Sequence, residues 1–241
     1  MDPEELLGKP VGRRLFLGLL GVGALGVATT QFSFADDNVT AGTVAQSVPL
    51  DSSSGMSEGE HPNVVTSERF RYYSVGYMPY DDPKTFRLGV DGEGAKGKLS
   101  LSLDQLKAFP NVVLKADFRC VTGWRVQNNL WRGVRVRDVL DSVGQNAKAR
   151  FVTFYSGDGV YTDSLTIQQA RSNNAILCWE LDGQPLIREQ GYPLRLIYPD
   201  MYGYKNVKWL HRLELKSTRD VGFWEQEGWD IDAYVYNAPS T

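Results

Sequence analysis

The sequence predicts a single α+β domain, mostly β, over residues 63–241. Short apolar or alternating runs, bounded by Gly, Asp, Pro or Asn, recur from about residue 64 to residue 237. Helical patterns are few and short. The chain of 241 residues also has a size that suits one ordinary globular domain.

The runs predict five strands and three short helices. The strands are residues 112–114, 151–155, 175–177, 194–198 and 209–215. Each helix follows a residue whose side chain can accept a hydrogen bond from the first turn. These caps are Asp104 for residues 105–109, Asp138 for residues 139–143 and Thr166 for residues 167–171.

Residues 1–35 are typical of an export signal. Arg13 and Arg14 precede an apolar run, as in a twin-arginine signal, and residues 33–35 include small residues for cleavage. That pathway exports proteins already folded around a cofactor. An ordinary secretory signal or an uncleaved anchor is the alternative, because the 21 residues from 15 to 35 carry no charge. We expect a protein of the periplasm or the outer face of the cytoplasmic membrane, with residues 36–62 as a polar, disordered linker.

Composition excludes several functional classes. The formal net charge of −3 argues against a nucleic-acid partner. Two cysteines cannot form a four-cysteine iron–sulfur cluster, and no Cys-x-x-Cys-His haem motif occurs. No glycine-rich dinucleotide motif or phosphate loop is present. Redox chemistry in this chain therefore requires another cofactor.

Cys120 lies in an arginine-rich segment. Five arginines and no acid occur between residues 118 and 137, so we expect a positive field that favours the thiolate. Thiolate is the form that binds soft metals or attacks electrophiles. Gly123 and Gly133 are expected to form tight turns in this segment. The alternative for Cys120 is a disulfide with Cys178, which an exported protein permits.

A second basic segment covers residues 195–216. Five cations outnumber two carboxylates there, and Gly203 and Asn206 lie among them, a pattern that suits a phosphate-holding loop. A solvated charged face is the alternative. The cations are Arg195, Lys205, Lys208, Arg212 and Lys216.

Four stretches, in order, carry a resemblance to a known family. Residues 120–124, Cys-Val-Thr-Gly-Trp, followed by residues 131–140, resemble the molybdenum-ligating segment of the sulfite oxidase family of molybdopterin enzymes. Residues 158–165, 182–186 and 191–196 match further stretches of that family. The resemblance implies a single domain with the sulfite-oxidase-type molybdopterin-binding fold and one Mo-molybdopterin. The size resembles the exported single-domain type, such as the periplasmic methionine sulfoxide reductase catalytic subunit.

The resemblance also implies roles for particular residues. Cys120 matches the thiolate that ligates molybdenum. Tyr73, Trp124, Tyr161 and Trp229 are candidates for the substrate opening, with a plain aromatic core as the alternative. The remaining matches are cofactor contacts. They are Ser74, Tyr77, Ser156, Gln190, Arg195, Asn206, Val207 and Lys208.

Three departures bear on the substrate. Sulfite-oxidising members carry a histidine, an arginine and a tyrosine where this chain has Gln190, Tyr73 and Trp229. Loss of a cation from a site for a dianion costs affinity, about 1.5 to 3 kcal/mol per charged hydrogen bond. We therefore expect two-electron oxygen-atom transfer at molybdenum, with reduction of a small-molecule or protein sulfoxide as the candidate reaction. A separate electron-transfer partner, a membrane haem protein or a cytochrome, is expected as well.

Two alternatives remain open at this point. One is a sulfite dehydrogenase that uses Arg125 or Arg135 in place of the missing arginine. The other is a non-catalytic exported binding module with a Cys120–Cys178 disulfide.

Overall fold

The structure is a computed structural model that describes residues 33–34, 65–66 and 70–235. The predicted signal and linker lie outside the described residues, apart from the backbone of Ser33–Phe34. No helix among the described residues has the length and apolar character needed to cross a membrane.

Three β-sheets and a few short helices make up the described chain, as the sequence predicts. The strands are β1 Ser33–Phe34, β2 Val65–Thr66, β3 Tyr73–Ser74, β4 Leu88–Asp91, β5 Leu99–Leu101, β6 Asn111–Arg119, β7 Trp124–Arg135, β8 Phe151–Ser156, β9 Thr162–Thr166, β10 Ile176–Leu181, β11 Gln184–Pro185, β12 Arg195–Ile197 and β13 Leu210–Lys216. The helices are α1 Leu103–Lys107, α2 Val136–Val143, α3 Ile167–Ala170 and α4 Phe223–Gln226. Single 3-10 turns occupy Arg188–Gln190 and Gly203–Lys205.

The larger sheets are mixed. A five-stranded sheet has the order β5-β4-β13-β8-β9, in which only the β4–β13 pair is parallel. A six-stranded sheet has the path β11-β10-β7-β2, with β12 on β10 and β6 on β7. β1 pairs with β3 as a separate two-stranded sheet.

Helix α2 contributes to the main core. Its buried residues Val136, Val139, Leu140 and Val143 follow the spacing of one helical face. They pack in one cluster with residues of β4, β8 and β13, including the fully buried Phe154. A second cluster, which contains Trp131 and Cys178, lies on the six-stranded sheet.

All five predicted strands are present, with different ends, but two predicted caps are wrong. Ser102 rather than Asp104 caps α1, since its hydroxyl accepts from the amide of Gln105 and the Gln105 side chain returns to the Ser102 amide. Asp138 lies inside the first turn of α2, which has no side-chain cap. Thr166 caps α3 as predicted, with the amide of Gln169 as its donor.

Gly133 is not the predicted turn residue. It lies inside β7, the longest strand, opposite Cys178 of β10. A Cβ atom at this position would come within 2.0 Å of the Leu177 carbonyl oxygen. Glycine is therefore required by the close approach of two strands and not by a turn.

Candidate active site

A pocket of about 470 Å³ opens where several segments of the fold meet. Most of these segments lie at the ends of strands. Side chains that are far apart in sequence therefore line the same pocket. The lining residues are particular members of five segments, 70–75, 118–124, 156–161, 203–209 and 224–229, together with Glu189 and Arg195.

Cys120 lies in the tight connection between β6 and β7 and lines this pocket. Its amide donates to the Trp124 carbonyl at 2.9 Å, and its carbonyl accepts from the Gly123 amide at 3.0 Å. Gly123 has a φ of 99°, a backbone conformation that favours glycine. The turn thus fixes the thiol at the pocket wall, and Gly123 is a turn residue as predicted.

The expectation that the arginine-rich segment favours the Cys120 thiolate is wrong for the described chain. Burial raises the pKa of the Cys120 thiol, and hydrogen bonding to Thr122 and the charge of Arg71 only partly oppose that effect. Arginines of the segment instead meet carboxylates from outside it. Arg119 lies 3.5 Å from Asp117, Arg132 lies 2.8 Å from Glu180, and Arg137 lies 3.6 Å from Asp138.

The disulfide alternative is contradicted as well. Cys120 and Cys178 are both free thiols. Cys178 is fully buried in β10, and its Sγ donates to the Glu180 carbonyl at 3.2 Å. Burial raises its pKa to about 12, as expected for an inert thiol in an apolar cluster.

Arg195 and Lys208 both line the pocket. Arg195 is buried, lies over the rings of Phe118 and Trp131, and donates to the Gln190 carbonyl at 2.8 Å. Lys208 is partly buried, and burial together with the charge of Arg195 lowers its pKa to about 7. Within the described residues neither cation forms an ion pair with a carboxylate.

The other three cations of the second basic segment are neutralised elsewhere. Lys205 contacts Asp163 and Glu225 in the protein interior. Arg212 lies 2.7 Å from Asp91, and Lys216 lies 2.7 Å from Asp220. The predicted five-cation phosphate loop is thus reduced to Arg195 and Lys208.

The remaining predicted cofactor contacts divide into two groups. Ser74, Ser156 and Asn206 line the pocket. Tyr77, Gln190 and Val207 are not among its lining residues. Tyr77 is exposed, Gln190 supports Arg195 through its carbonyl, and the carbonyl of Val207 accepts from the amide of Leu196 at 2.8 Å.

All four aromatic residues predicted for the substrate opening line the pocket. They are Tyr73, Trp124, Tyr161 and Trp229. The hydroxyl of Tyr161 donates to the Tyr204 carbonyl at 2.5 Å, and burial raises its pKa well above the usual value. Tyr161 is therefore suited to shaping the pocket and not to proton transfer near neutral pH.

Sequence reasoning missed Arg71, Tyr204 and Trp224 as pocket residues. Arg71 lies two residues before Tyr73, in a segment of which every residue from 70 to 75 lines the pocket. Arg125 and Arg135, the cations considered for sulfite, do not line the pocket. Arg71, in contrast, lines the pocket beside Cys120.

The donor set fits an anionic, metal-bearing cofactor. A thiol can ligate a soft metal, and two cations without a carboxylate partner among the described residues can neutralise a phosphate. Residues 75–224 match the family described as oxidoreductase molybdopterin binding domain. The chain belongs to this family. It is a molybdenum-cofactor-dependent oxidoreductase, and its cofactor is Mo-molybdopterin.

Three relatives show the extent of the similarity. The chain is 32% identical over 171 residues to the uncharacterized oxidoreductase YuiH of Bacillus subtilis, covering 70% of this chain and 85% of that protein. It is 33% identical over 159 residues to the protein of Azospira oryzae named "Putative protein-methionine-sulfoxide reductase subunit YedZ1", covering 66% of this chain and 60% of the relative. It is 30% identical over 176 residues to mitochondrial sulfite oxidase of Rattus norvegicus, covering 62% of this chain and 32% of that enzyme.

The fold has a counterpart among solved structures. The sulfane dehydrogenase SoxCD of Paracoccus pantotrophus superposes with a TM-score of 0.55 at 20% identity, covering 59% of this chain and 41% of that chain. This match supports the predicted sulfite-oxidase-type fold.

Proposed function

We propose that this chain is an exported enzyme that transfers an oxygen atom at a sulfur centre and that Cys120 is its protein ligand to molybdenum. The observation that carries the proposal is the convergence of one thiol and two cations, Arg195 and Lys208, on one pocket. Arginine presents a planar fork to phosphate oxygens, and the lysine ammonium adds a compact charge. These two side chains would hold the pterin phosphate.

The bound group supplies two-electron oxygen-atom transfer, and the chain supplies position and environment. Cys120, at the β6–β7 turn, would hold the metal through its thiolate. Trp124 and Trp229 line the opening and restrict water at the reacting centre. Ser74, Ser156 and Asn206 offer polar contacts to the pterin, and Arg195 is kept in place through the carbonyl of Gln190.

Sulfoxide reduction is the direction that we favour. The overall step converts a sulfoxide, two electrons and two protons into a thioether and water. The relative named for methionine-sulfoxide reduction supports this choice. The mainly aromatic opening suits the apolar carbon substituents of a sulfoxide.

Sulfite oxidation is the second candidate, and Arg71 is the observation that favours it. Arg71 lines the pocket, and its charge acts on the Cys120 thiol. Within the described part of the chain, no hydrogen bond or ion pair occupies its guanidinium. It could therefore bind an oxyanion directly.

Electrons must come from or go to a second protein in this proposal. Haem and iron–sulfur motifs are lacking in the sequence, so a membrane haem protein or a cytochrome is the expected partner. Export by the twin-arginine-like signal would bring the loaded enzyme to such a partner at the cell envelope.

The direct test is steady-state kinetics of the purified, molybdenum-loaded protein. Methionine sulfoxide with a reduced viologen dye and sulfite with ferricyanide are the two assays. We expect turnover of the sulfoxide with the higher kcat/KM. Turnover of sulfite alone would favour the second candidate, and turnover of neither by protein with one molybdenum per chain would refute both.

A further inference from the structure

An ion cluster lies directly behind part of the pocket wall. The side chain of Lys205 is fully buried, and its ammonium contacts carboxylate oxygens of Asp163 and Glu225. It also donates to the carbonyl of Ile231 at 3.2 Å. The cluster thus joins strand β9, the 3-10 turn at residues 203–205, helix α4 and the chain after it.

Each member of this cluster is close in sequence to an aromatic residue of the pocket. Asp163 follows Tyr161 by two residues, Lys205 directly follows Tyr204, and Glu225 directly follows Trp224. The three aromatic residues line the pocket, whereas the three charged residues do not. The charges meet on the inside, and the aromatic rings face the pocket.

The aromatic rings of this layer also contact one another. Tyr161 stacks on Phe223 with ring centres 5.7 Å apart, and Tyr204 lies 5.8 Å from Trp229. Trp224 lies 6.3 Å from Trp229. These contacts connect the segment of residues 222–231 to the rest of the wall.

That segment has little regular structure of its own. Helix α4 has four residues, far fewer than the roughly 12 at which an isolated helix becomes marginally stable. Glu225 stabilises the first turn of helix α4, because one of its carboxylate oxygens accepts a hydrogen bond from the Gly222 amide at 2.7 Å. A Cβ atom on Gly222 would come within 2.9 Å of the Asp163 carboxylate carbon, so the segment lies closely against the cluster.

A buried ionic cluster is a poor source of stability compared with apolar packing, and its better-attested use is to fix one arrangement. Here it contains two carboxylates and one ammonium. Burial raises the pKa of Asp163 to about 7, Lys205 opposes this effect, and Glu225 adds to it. The two carboxylates therefore repel each other, and the ammonium of Lys205 between them offsets that repulsion.

We infer that Lys205, Asp163 and Glu225 are positioning residues that fix residues 222–231, so that Trp224 and Trp229 form the pocket wall and set substrate fit. This inference rests on the proposed function for its substrate and on the structure for its geometry. None of the three side chains lines the pocket, so they act through the two tryptophans.

The test uses Glu225→Gln in the full-length, molybdenum-loaded protein. The amide oxygen of glutamine can accept from Gly222 or from Lys205 but cannot replace both carboxylate oxygens, while Lys205 and Asp163 remain as a pair. The fold should therefore persist, with residues 222–231 loosened. Asp141→Asn is the matched control, because it removes the carboxylate of an exposed pair with Arg171 away from the pocket.

Two readouts decide the inference. Hydrogen exchange should show at least a tenfold loss of amide protection in residues 222–231, with the amides of β8 and β13 unchanged. The KM for methionine sulfoxide should rise at least fivefold, with molybdenum content and kcat within twofold of the parent protein. Asp141→Asn should change neither quantity.

Unchanged protection of residues 222–231 in Glu225→Gln would overturn the anchoring role. Lost protection with an unchanged KM would overturn the positioning role. If the parent protein turns over neither sulfoxide nor sulfite, the proposed function fails, and the exchange measurement still decides whether the cluster anchors the segment.

Discussion

The ammonium of Lys208 donates to the main-chain carbonyl of Tyr73 at 2.6 Å and to that of Glu189 at 3.0 Å. One side chain thereby joins three separate parts of the sequence at the pocket. Burial beside Arg195 at the same time lowers the pKa of Lys208 to about 7. The site is therefore organised around a cation that is costly to keep charged without a bound anion.

Cofactor-free protein should show this cost in the pH dependence of its folding stability. Between pH 7 and the ordinary lysine pKa of about 10.4, the unfolded chain binds a proton at Lys208 that the folded chain does not. Folding stability should rise with pH in that window, by up to about 1.4 kcal/mol per pH unit. Lys208→Met should remove this slope, as measured by urea unfolding at pH 7, 8 and 9. Lys216→Met, which removes a partly buried lysine paired with Asp220, should keep this slope.

Substitution of Gly133 should damage the sheet beneath the pocket. A Cβ atom there overlaps the Leu177 carbonyl at 2.0 Å, and backbone of a central strand cannot move aside cheaply. We expect Gly133→Ala to destabilise the protein by about 3 kcal/mol or more in chemical denaturation. Gly97→Ala, where the nearest atom would lie at 3.7 Å, should change stability by less than about 0.5 kcal/mol. Equal effects of the two substitutions would contradict the close approach of β7 and β10 at Gly133.

Gly133 also shows the limit of sequence reasoning about this fold. Short apolar strands and the Thr166 cap follow local rules, and the sequence predicts them. β7 alternates poorly, with buried residues at positions 124–126 and again at 133–134, because partners on both sides cover it. The sequence therefore predicts a turn at Gly133, because only the tertiary structure brings Leu177 against it.

The site divides in the same way. Cys120, Arg195 and Lys208 could be found because motifs in the sequence mark them. The charge environment could not, because Asp117, Glu180 and Asp138 lie just outside the arginine-rich segment or far from it in sequence. Arg71 carries no motif and becomes a candidate only when the segment before β3 is placed against the Cys120 turn.

Removal of the Arg71 charge should separate anionic from neutral substrates. A hydrogen bond from a charged donor contributes about 1.5 to 3 kcal/mol, so Arg71→Gln should raise the KM for sulfite at least about tenfold. The KM for a neutral sulfoxide should change by less than about threefold. Arg87→Gln, at an exposed arginine outside the pocket, serves as the control. Parallel changes for both substrates would contradict a specific oxyanion contact.

Thiol reactivity should distinguish the two cysteines in cofactor-free protein. Cys120 is half-buried at the pocket wall, whereas Cys178 is fully buried in β10. Ellman's reagent should modify one thiol in the native protein and two after denaturation without reductant. In Cys120→Ser, the reagent should modify no thiol in the native protein and only that of Cys178 after denaturation. No free thiol in unreduced, denatured protein would restore the disulfide alternative.

X-ray absorption at the molybdenum edge tests the central assignment most directly. The pterin dithiolene provides two sulfur neighbours, and we predict a third from Cys120 in the loaded protein. Cys120→Ser should show two sulfur neighbours and no turnover. Two sulfur neighbours in the unsubstituted protein, or full turnover by Cys120→Ser, would contradict the account.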